Sequence, residues 1–228
     1  MKESQADPFE RADRTREPIF NAPWTLAALC IGLVALYLAQ RLLMTDDQVV
    51  RLGLSHSGLA AGRWMTLFTA LFLHGSWPHV LMNSAAVLAF GPPAARLLGT
   101  GPRGAVCFFG FYLTCGVVAG LGCLAVTPFG DSPLIGASGA VSGLLGAASR
   151  MMERRGHLGP PWGRTVFGTA VAWIVVNVVL GVSGLTPGAV GIQVAWQAHL
   201  AGYAAGLFLI GPFAWLAGWS TTDHAIER

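Results

Sequence analysis

The sequence predicts an all-α fold: a polytopic membrane protein whose six transmembrane helices form one bundle. Two observations carry that prediction. Of the 228 residues, 54% are hydrophobic and 11% charged, where soluble domains carry roughly 25% charged residues. So few charges cannot cover a water-facing surface of this size. The charges also cluster, leaving uncharged runs at 18–40, 64–95, 104–130, 132–149 and 165–222, and a membrane span needs about 20 apolar residues. These patterns exclude a secreted globular domain, a nucleic-acid binder built on a basic patch and any sizeable soluble module. The net charge of +3 is therefore informative through where the cations sit rather than through its sign.

Residues 1–22 mix charges of both signs without an apolar core, so they read as a cytoplasmic tail rather than a signal peptide, and the first span as an uncleaved anchor. The membrane domain is expected over 23–218, with a second cytoplasmic tail at 219–228. Gly and Pro divide the apolar runs into helices near 24–43, 79–98, 104–126, 136–152, 165–184 and 193–217. The 58-residue run at 165–222 is broken at Gly181-Val-Ser-Gly-Leu-Thr-Pro-Gly-Ala-Val-Gly191. The apolar stretch from Trp64 to Leu73 is too short to cross and reads as an interfacial or re-entrant segment ending at His74-Gly75-Ser76-Trp77-Pro78.

With alternating spans, one side receives Lys2, Arg11, Arg14, Arg16, Arg96, Arg103, Arg150, Arg154, Arg155, Arg164 and Arg228, and the other only Arg41, Arg51 and Arg63. Basic residues stay cytoplasmic, so both termini are expected in the cytoplasm. The short tails and loops, with no organelle address, point to a bacterial plasma (inner) membrane. Cys30, Cys107, Cys115 and Cys123 all fall within spans and read as small apolar packing residues.

A polar side chain inside hydrocarbon costs free energy unless partnered, so intramembrane His, Ser and Asn mark candidate function. His74, His79 and Asn83 lie around the start of the second span, Gly136-Ala137-Ser138-Gly139 at the start of the fourth, and His199 in the sixth. All three spans run inward from the outer face. Ser138 is in the first turn of its helix and His199 about six residues into its own, ~9 Å at ~1.5 Å per residue, so their depths allow contact. Gly139, Gly143 and Gly146 share one helix face, and His199, Gly202 and Gly206 share another. Packing on these side-chain-free faces, with Gly136 also expected among the helix-packing glycines around the site, would bring a serine nucleophile beside a general base.

Among the acidic residues only Asp131 lies between Asp47 and Glu153, and none falls within a proposed span. A Ser138–His199 dyad, with the imidazole held by packing, is the economical arrangement. There is no HExxH and no carboxylate to complete a His-based metal site, so no metal is expected. His79 and Asn83 stand i, i+4 on one face and can point together at an oxyanion near Ser138, joined by the unpaired first-turn amides at Ser138. His56, His157 and His224 read as solvated residues of loops and tail.

The ordered set His74-x4-His79-x3-Asn83, Gly136-Ala137-Ser138-Gly139 and Ala198-His199-x2-Gly202-x3-Gly206, spread over the second, fourth and sixth spans, resembles the rhomboid intramembrane serine proteases. The resemblance runs from about Trp64 to Gly211. It implies a rhomboid-like six-helix bundle, Ser138 as nucleophile, His199 as base, and His79 with Asn83 in the oxyanion hole. It also implies transmembrane proteins as substrates, the lipid bilayer as surroundings, and cleavage within or beside membrane segments without metal or nucleotide. Two positions depart from the family's pattern. The pair in the first outer loop is Arg63-Trp64, where the family often has Trp-Arg. Four residues after the serine, where some members carry an aromatic ring against the histidine, this chain has Ser142, which leaves the orientation of His199 to Tyr203 or a neighbour on the sixth span. The connection at 185–192 is expected to cap a water-filled cavity. The alternative reading is a catalytically silent scaffold that binds transmembrane segments, and its expected mark, loss of the serine or the histidine, is absent. A channel would need polar residues continuing to the cytoplasmic end, whereas the sixth span's inner half runs Ala204 to Ile210 without one.

Overall fold

A computed structural model describes residues 22–127, 132–154, 157–183 and 195–219. The tails before 22 and after 219, Asp131 and the connection at 185–192 lie outside the described residues. Within them the chain is a helical bundle: α1 (Trp24–Leu43), α2 (Asp46–Leu52), α3 (His56–Ala60), α4 (Thr66–Thr69), α5 (Trp77–Leu98), α6 (Pro102–Val126), α7 (Ser138–Glu153), α8 (Arg164–Ser183) and α9 (Trp196–Ala217), with a 3₁₀ turn at Ala70–Phe72. The long helices α1, α5, α6, α7, α8 and α9 correspond to the six expected spans. The second begins at Trp77 rather than 79. Pro78 is tolerated in a helix's first turn, and Ser76 caps that turn by accepting the His79 amide at 3.2 Å.

Four of the six are by themselves long and apolar enough to cross a bilayer: α1, α6, α9 and the Arg164–Gly181 part of α8. The remaining two are exceptions for a packing reason. Helix α7 has only 16 residues, ~24 Å at ~1.5 Å per residue, yet its side chains from Gly139 to Ser149 are all buried, so protein rather than lipid surrounds it. Helix α5 carries His79, Asn83, Pro92, Pro93 and Arg96, and buries one face against α1 and α7. Outward-facing apolar residues such as Leu42, Val106, Phe167 and Trp215 are more than two-thirds exposed, a surface that suits hydrocarbon and not water.

The core is aromatic and aliphatic where α6 meets its neighbours, with Phe108, Phe111, Tyr112, Leu33, Leu144 and Ile210 fully buried. Where α7 meets α9 it is almost bare backbone. A methyl group added at Gly202 would run into the Gly139 carbonyl, one at Gly206 into the Gly143 carbonyl, and one at Gly146 into the Tyr203 carbonyl. The two glycine faces read from the sequence thus meet each other. The other side of α7 is equally tight, since a Cβ at Gly139 or Gly143 would stand 2.6 Å from the Cβ of Ala119 or Cys115 on α6.

The segment between α1 and α5 forms short helices. Thr45 and Gln48 close a reciprocal capping box on α2, and the Ser55 hydroxyl caps α3. This segment is tied to the strand-like stretch before α7 by a backbone bridge, Leu54 N–H to Leu134 O at 3.0 Å and Leu134 N–H to Leu54 O at 2.8 Å. At the inner end of α7, Arg150 donates from Nε to Gly159 O (2.7 Å) and from a terminal nitrogen to Leu207 O (3.1 Å), fastening α7 to α9 by carbonyls alone.

Because the α7–α9 contact has no room for a methyl, Gly206→Ala is expected to lower stability by about 1–3 kcal/mol through overpacking. Gly168→Ala on α8, where nothing lies within 4 Å of the added carbon, should leave stability unchanged or raise it. Thermal or denaturant unfolding in detergent compares the two directly.

Candidate active site

Three features place Ser138. Gly136 holds φ +119, a left-handed conformation that side-chain-bearing residues rarely adopt. Its amide donates to Ala70 O at 2.8 Å. Helix α7 then starts at Ser138 itself, and Val141 N–H closes the first turn on Ala137 O. The hydroxyl therefore projects from the very first helical residue, where helix geometry leaves the Ser138 and Gly139 amides without intrahelical acceptors. Gly136 does not serve helix packing, as the sequence reading expected. It makes the turn, and it faces His79, whose ring atoms would stand 2.8 Å from a Cβ added there.

His199 lies in the first turn of α9, and its Nε2 is 2.8 Å from Ser138 Oγ. Two helices far apart in sequence meet here at one depth because their glycine faces touch one turn further in. The ring is not held by packing alone, nor by Tyr203. The Tyr203 hydroxyl donates to Val166 O at 3.2 Å, and Ser142 Oγ donates back to Ser138 O at 2.8 Å. The partner of His199 is instead Asn177 on α8: its Oδ1 lies 2.6 Å from His199 Nδ1, with the Trp173 indole tilted over the same ring at 6.2 Å between centroids. Sequence reasoning missed Asn177. The signal was available, because it is the one Asn in a fifth span whose other polar members are Thr165, Thr169 and Ser183, but it belongs to none of the recognised motifs.

On the opposite side of Gly136, His79 and Asn83 rise from the first two turns of α5. Gly75 N–H donates to His79 Nδ1 at 3.5 Å, which leaves the proton on Nε2, the nitrogen facing Gly136. Asn83 Nδ2 is buried without a hydrogen-bond partner among the described residues, a donor with capacity to spare beside the turn that carries Ser138. Beneath them His74 is fully buried, 5.0 Å from the His79 ring and 6.2 Å from Tyr37. Its backbone is clamped by Gln40 of α1, which donates to His74 O at 2.8 Å and accepts from His74 N–H at 3.0 Å. Gln40 was likewise not singled out from the sequence. Arg63 packs its guanidinium beside Gly58, and Trp64 is 61% exposed. A cavity of about 40 Å³ adjoins Ser138, lined by Leu54, Leu67, Leu71, Gly116 and Gly139 among others, which is room for a few water molecules.

A half-buried serine hydroxyl on an imidazole, with spare donors gathered across a sharp turn and water-sized space beside it, is an arrangement chemically able to support acyl transfer. A family model described as Rhomboid domain matches residues 61–215, more than half of the chain, so the protein belongs to the rhomboid family. The chain is similar to YdcA of Bacillus subtilis (34% identical over 101 residues, 44% of this chain and 48% of the relative). It is also similar to the rhomboid protease GluP of Bacillus subtilis (29% over 128 residues, 55% of this chain and 23% of the relative). A plant relative is RHOMBOID-like protein 9, chloroplastic, of Arabidopsis thaliana (28% over 145 residues, 61% of this chain and 32% of the relative). The matched regions span about half, a quarter and a third of those relatives' lengths.

Burial, together with the neighbouring His79 ring, holds the His74 imidazole well below the ordinary histidine range, at about 4. The folded state keeps this ring neutral while the unfolded chain protonates it below about 6.5. Stability is therefore expected to fall as the pH drops from about 6.5 toward 4, because the unfolded state then binds the extra proton. Unfolding midpoints measured across that window should decline less steeply for His74→Leu than for the natural protein.

Proposed function

We propose that this chain is an intramembrane serine endopeptidase that hydrolyses peptide bonds in or near transmembrane segments of other membrane proteins. The observation that carries the proposal is the 2.8 Å separation of Ser138 Oγ and His199 Nε2. In the reaction, Nε2 accepts the hydroxyl proton as Oγ adds to the scissile carbonyl. The His79 Nε2–H, the Asn83 amide and the first-turn amide of Ser138 stabilise the oxyanion. The imidazolium then protonates the leaving amine. Water admitted beside Ser138 repeats the sequence on the acyl-enzyme and frees the serine. A helical substrate shields its carbonyls in its own hydrogen bonds, so its scissile segment must unwind before it reaches the turn at Gly136.

On this reading residues 23–218 form the membrane domain between cytoplasmic tails at 1–22 and 219–228. The site faces the outer side of a bacterial plasma membrane, a placement supported by the distribution of basic residues. The silent-scaffold alternative gains nothing from the geometry, since both reactive side chains are retained and touch.

Ser138→Ala and His199→Ala are each expected to abolish cleavage of a transmembrane reporter substrate while leaving expression and folding intact. Residual activity within about tenfold of the natural protein in either variant removes the assignment. A fluorophosphonate probe should label Ser138 and fail on Ser138→Ala. Asn83→Ala should slow turnover by about 10²–10³ if it supplies one oxyanion hydrogen bond.

A further inference from the structure

A neutral histidine is a general base toward Ser138 only in the tautomer that leaves Nε2 unprotonated. In the catalytic triads of soluble hydrolases a carboxylate enforces that tautomer, because it can only accept from Nδ1–H. A side-chain amide is ambiguous, since its NH₂ end could face the imidazole and drive the proton to the wrong nitrogen.

Here the ambiguity is removed. Asn177 Nδ2 lies 2.8 Å from the backbone carbonyl of Trp173, one turn earlier on α8. A carbonyl has no proton to give, so the atom facing it must be the NH₂ group, and the amide oxygen is turned toward His199 Nδ1 at 2.6 Å. That oxygen accepts only, so Nδ1 carries the proton, Nε2 presents its lone pair, and the Ser138 hydroxyl donates to it at 2.8 Å. The chain of directions runs from a helix carbonyl through an amide to an imidazole and ends on a hydroxyl. Asn177 is 1% exposed, and the Trp173 ring lies tilted over His199, so water does not compete for the amide.

We propose that Asn177 is a positioning residue for the hydrolytic reaction: its side-chain oxygen, aimed by the Trp173 carbonyl, fixes the tautomer and orientation of His199 in place of a carboxylate. The assignment rests on Ser138 and His199 being the reacting pair. Asn177 touches neither substrate nor reacting atoms, and acts through the imidazole.

The test uses the full chain in detergent with ¹⁵N-labelled histidine. The His199 signals are identified by their loss in His199→Ala, and the rate of fluorophosphonate labelling at Ser138 is followed alongside. The natural protein is expected to show His199 protonated at Nδ1 and bare at Nε2. Asn177→Leu, close in volume but without an acceptor, should lose that signature and label slower by about 10²–10⁴, with its thermal midpoint above the assay temperature. Asn177→Asp, which keeps an oxygen acceptor on the same stem at the cost of burying a carboxyl group, should keep the Nδ1 proton and label at least about tenfold faster than Asn177→Leu. A proton on Nε2 in the natural protein overturns the proposal, as does wild-type labelling by Asn177→Leu. Equal loss in the Leu and Asp variants also overturns it, because that pattern belongs to packing. If the natural protein does not label at Ser138, the enzymatic reading itself fails, and the nitrogen spectrum still decides whether Asn177 sets the tautomer.

Discussion

The close approach of α7 and α9, backbone against backbone, is the constraint from which the site follows. Gly139, Gly143 and Gly146 present carbonyls and Cα atoms where Gly202, Tyr203 and Gly206 present theirs, and no methyl fits between. In lipid there is no hydrophobic drive for two apolar helices to associate, so such contacts rely on dispersion over a large, closely fitted area. The fit also sets the register. With Gly202 seated on Gly139 and Gly206 on Gly143, the residue three before Gly202 must lie beside the residue one before Gly139. Those residues are His199 and Ser138, and the 2.8 Å hydrogen bond between them is a consequence of the packing above all.

Apart from the Ser138–His199 pair itself, the long-range polar ties around this contact among the described residues end on an amide or a carbonyl. Gln40 meets both backbone groups of His74. Arg150 is met by the carbonyls of Gly159 and Leu207. Asn177 bridges Trp173 and His199. Gln40 ties α1 to the turn before α5, Arg150 ties α7 to α9 and Asn177 ties α8 to α9, and none of these ties uses a carboxylate. The outer segment obeys the same economy. The Leu54–Leu134 bridge and the Gly136-to-Ala70 bond fix the turn before Ser138 by backbone groups, so the placement of the hydroxyl depends on main-chain geometry rather than on side chains that could change rotamer.

Much of this was legible in the sequence because a bilayer converts composition into length. Uncharged runs gave the six long helices to within a few residues, and intramembrane Ser138, His199, His79 and Asn83 stood out because polarity is costly there. The short helices α2 and α3 were missed although their signals are plain, Thr45 with Gln48 as a capping box and Ser55 as a cap. Both helices lie in a connection that falls outside the uncharged runs marking the spans. Gly136 was read as packing because glycine spacing alone does not distinguish a helix face from a positive-φ turn one residue outside the helix. Asn177 and Gln40 escaped for another reason: their roles depend on which neighbouring helix faces them, and neither position in α8 nor in α1 is set by a motif. The orienting group expected for His199 stood along its own helix, where one turn brings side chains together, whereas its partner belongs to the adjacent helix.

The choice of an amide over a carboxylate beside His199 has a physical logic particular to hydrocarbon. A carboxylate in a soluble triad is buried yet ionised, hydrogen-bonded to the histidine whose imidazolium it stabilises. Buried at this depth it would carry a desolvation penalty of several kcal/mol unless fully compensated, and the neutral resting imidazole would not compensate it. An amide oxygen gives the same acceptor geometry at the cost of a neutral dipole. What it surrenders is the charge attraction that would steady the imidazolium in the reaction, together with the built-in direction of an acceptor-only group. The direction is recovered from the Trp173 carbonyl. That carbonyl serves because a helix carbonyl has two lone pairs, one taken by the backbone ladder and one open to a side chain four residues on. On the proposed reading, a serine hydrolase can thus work within a membrane without an acidic third member, provided that the helix bearing the amide is itself rigid over the turn that aims it.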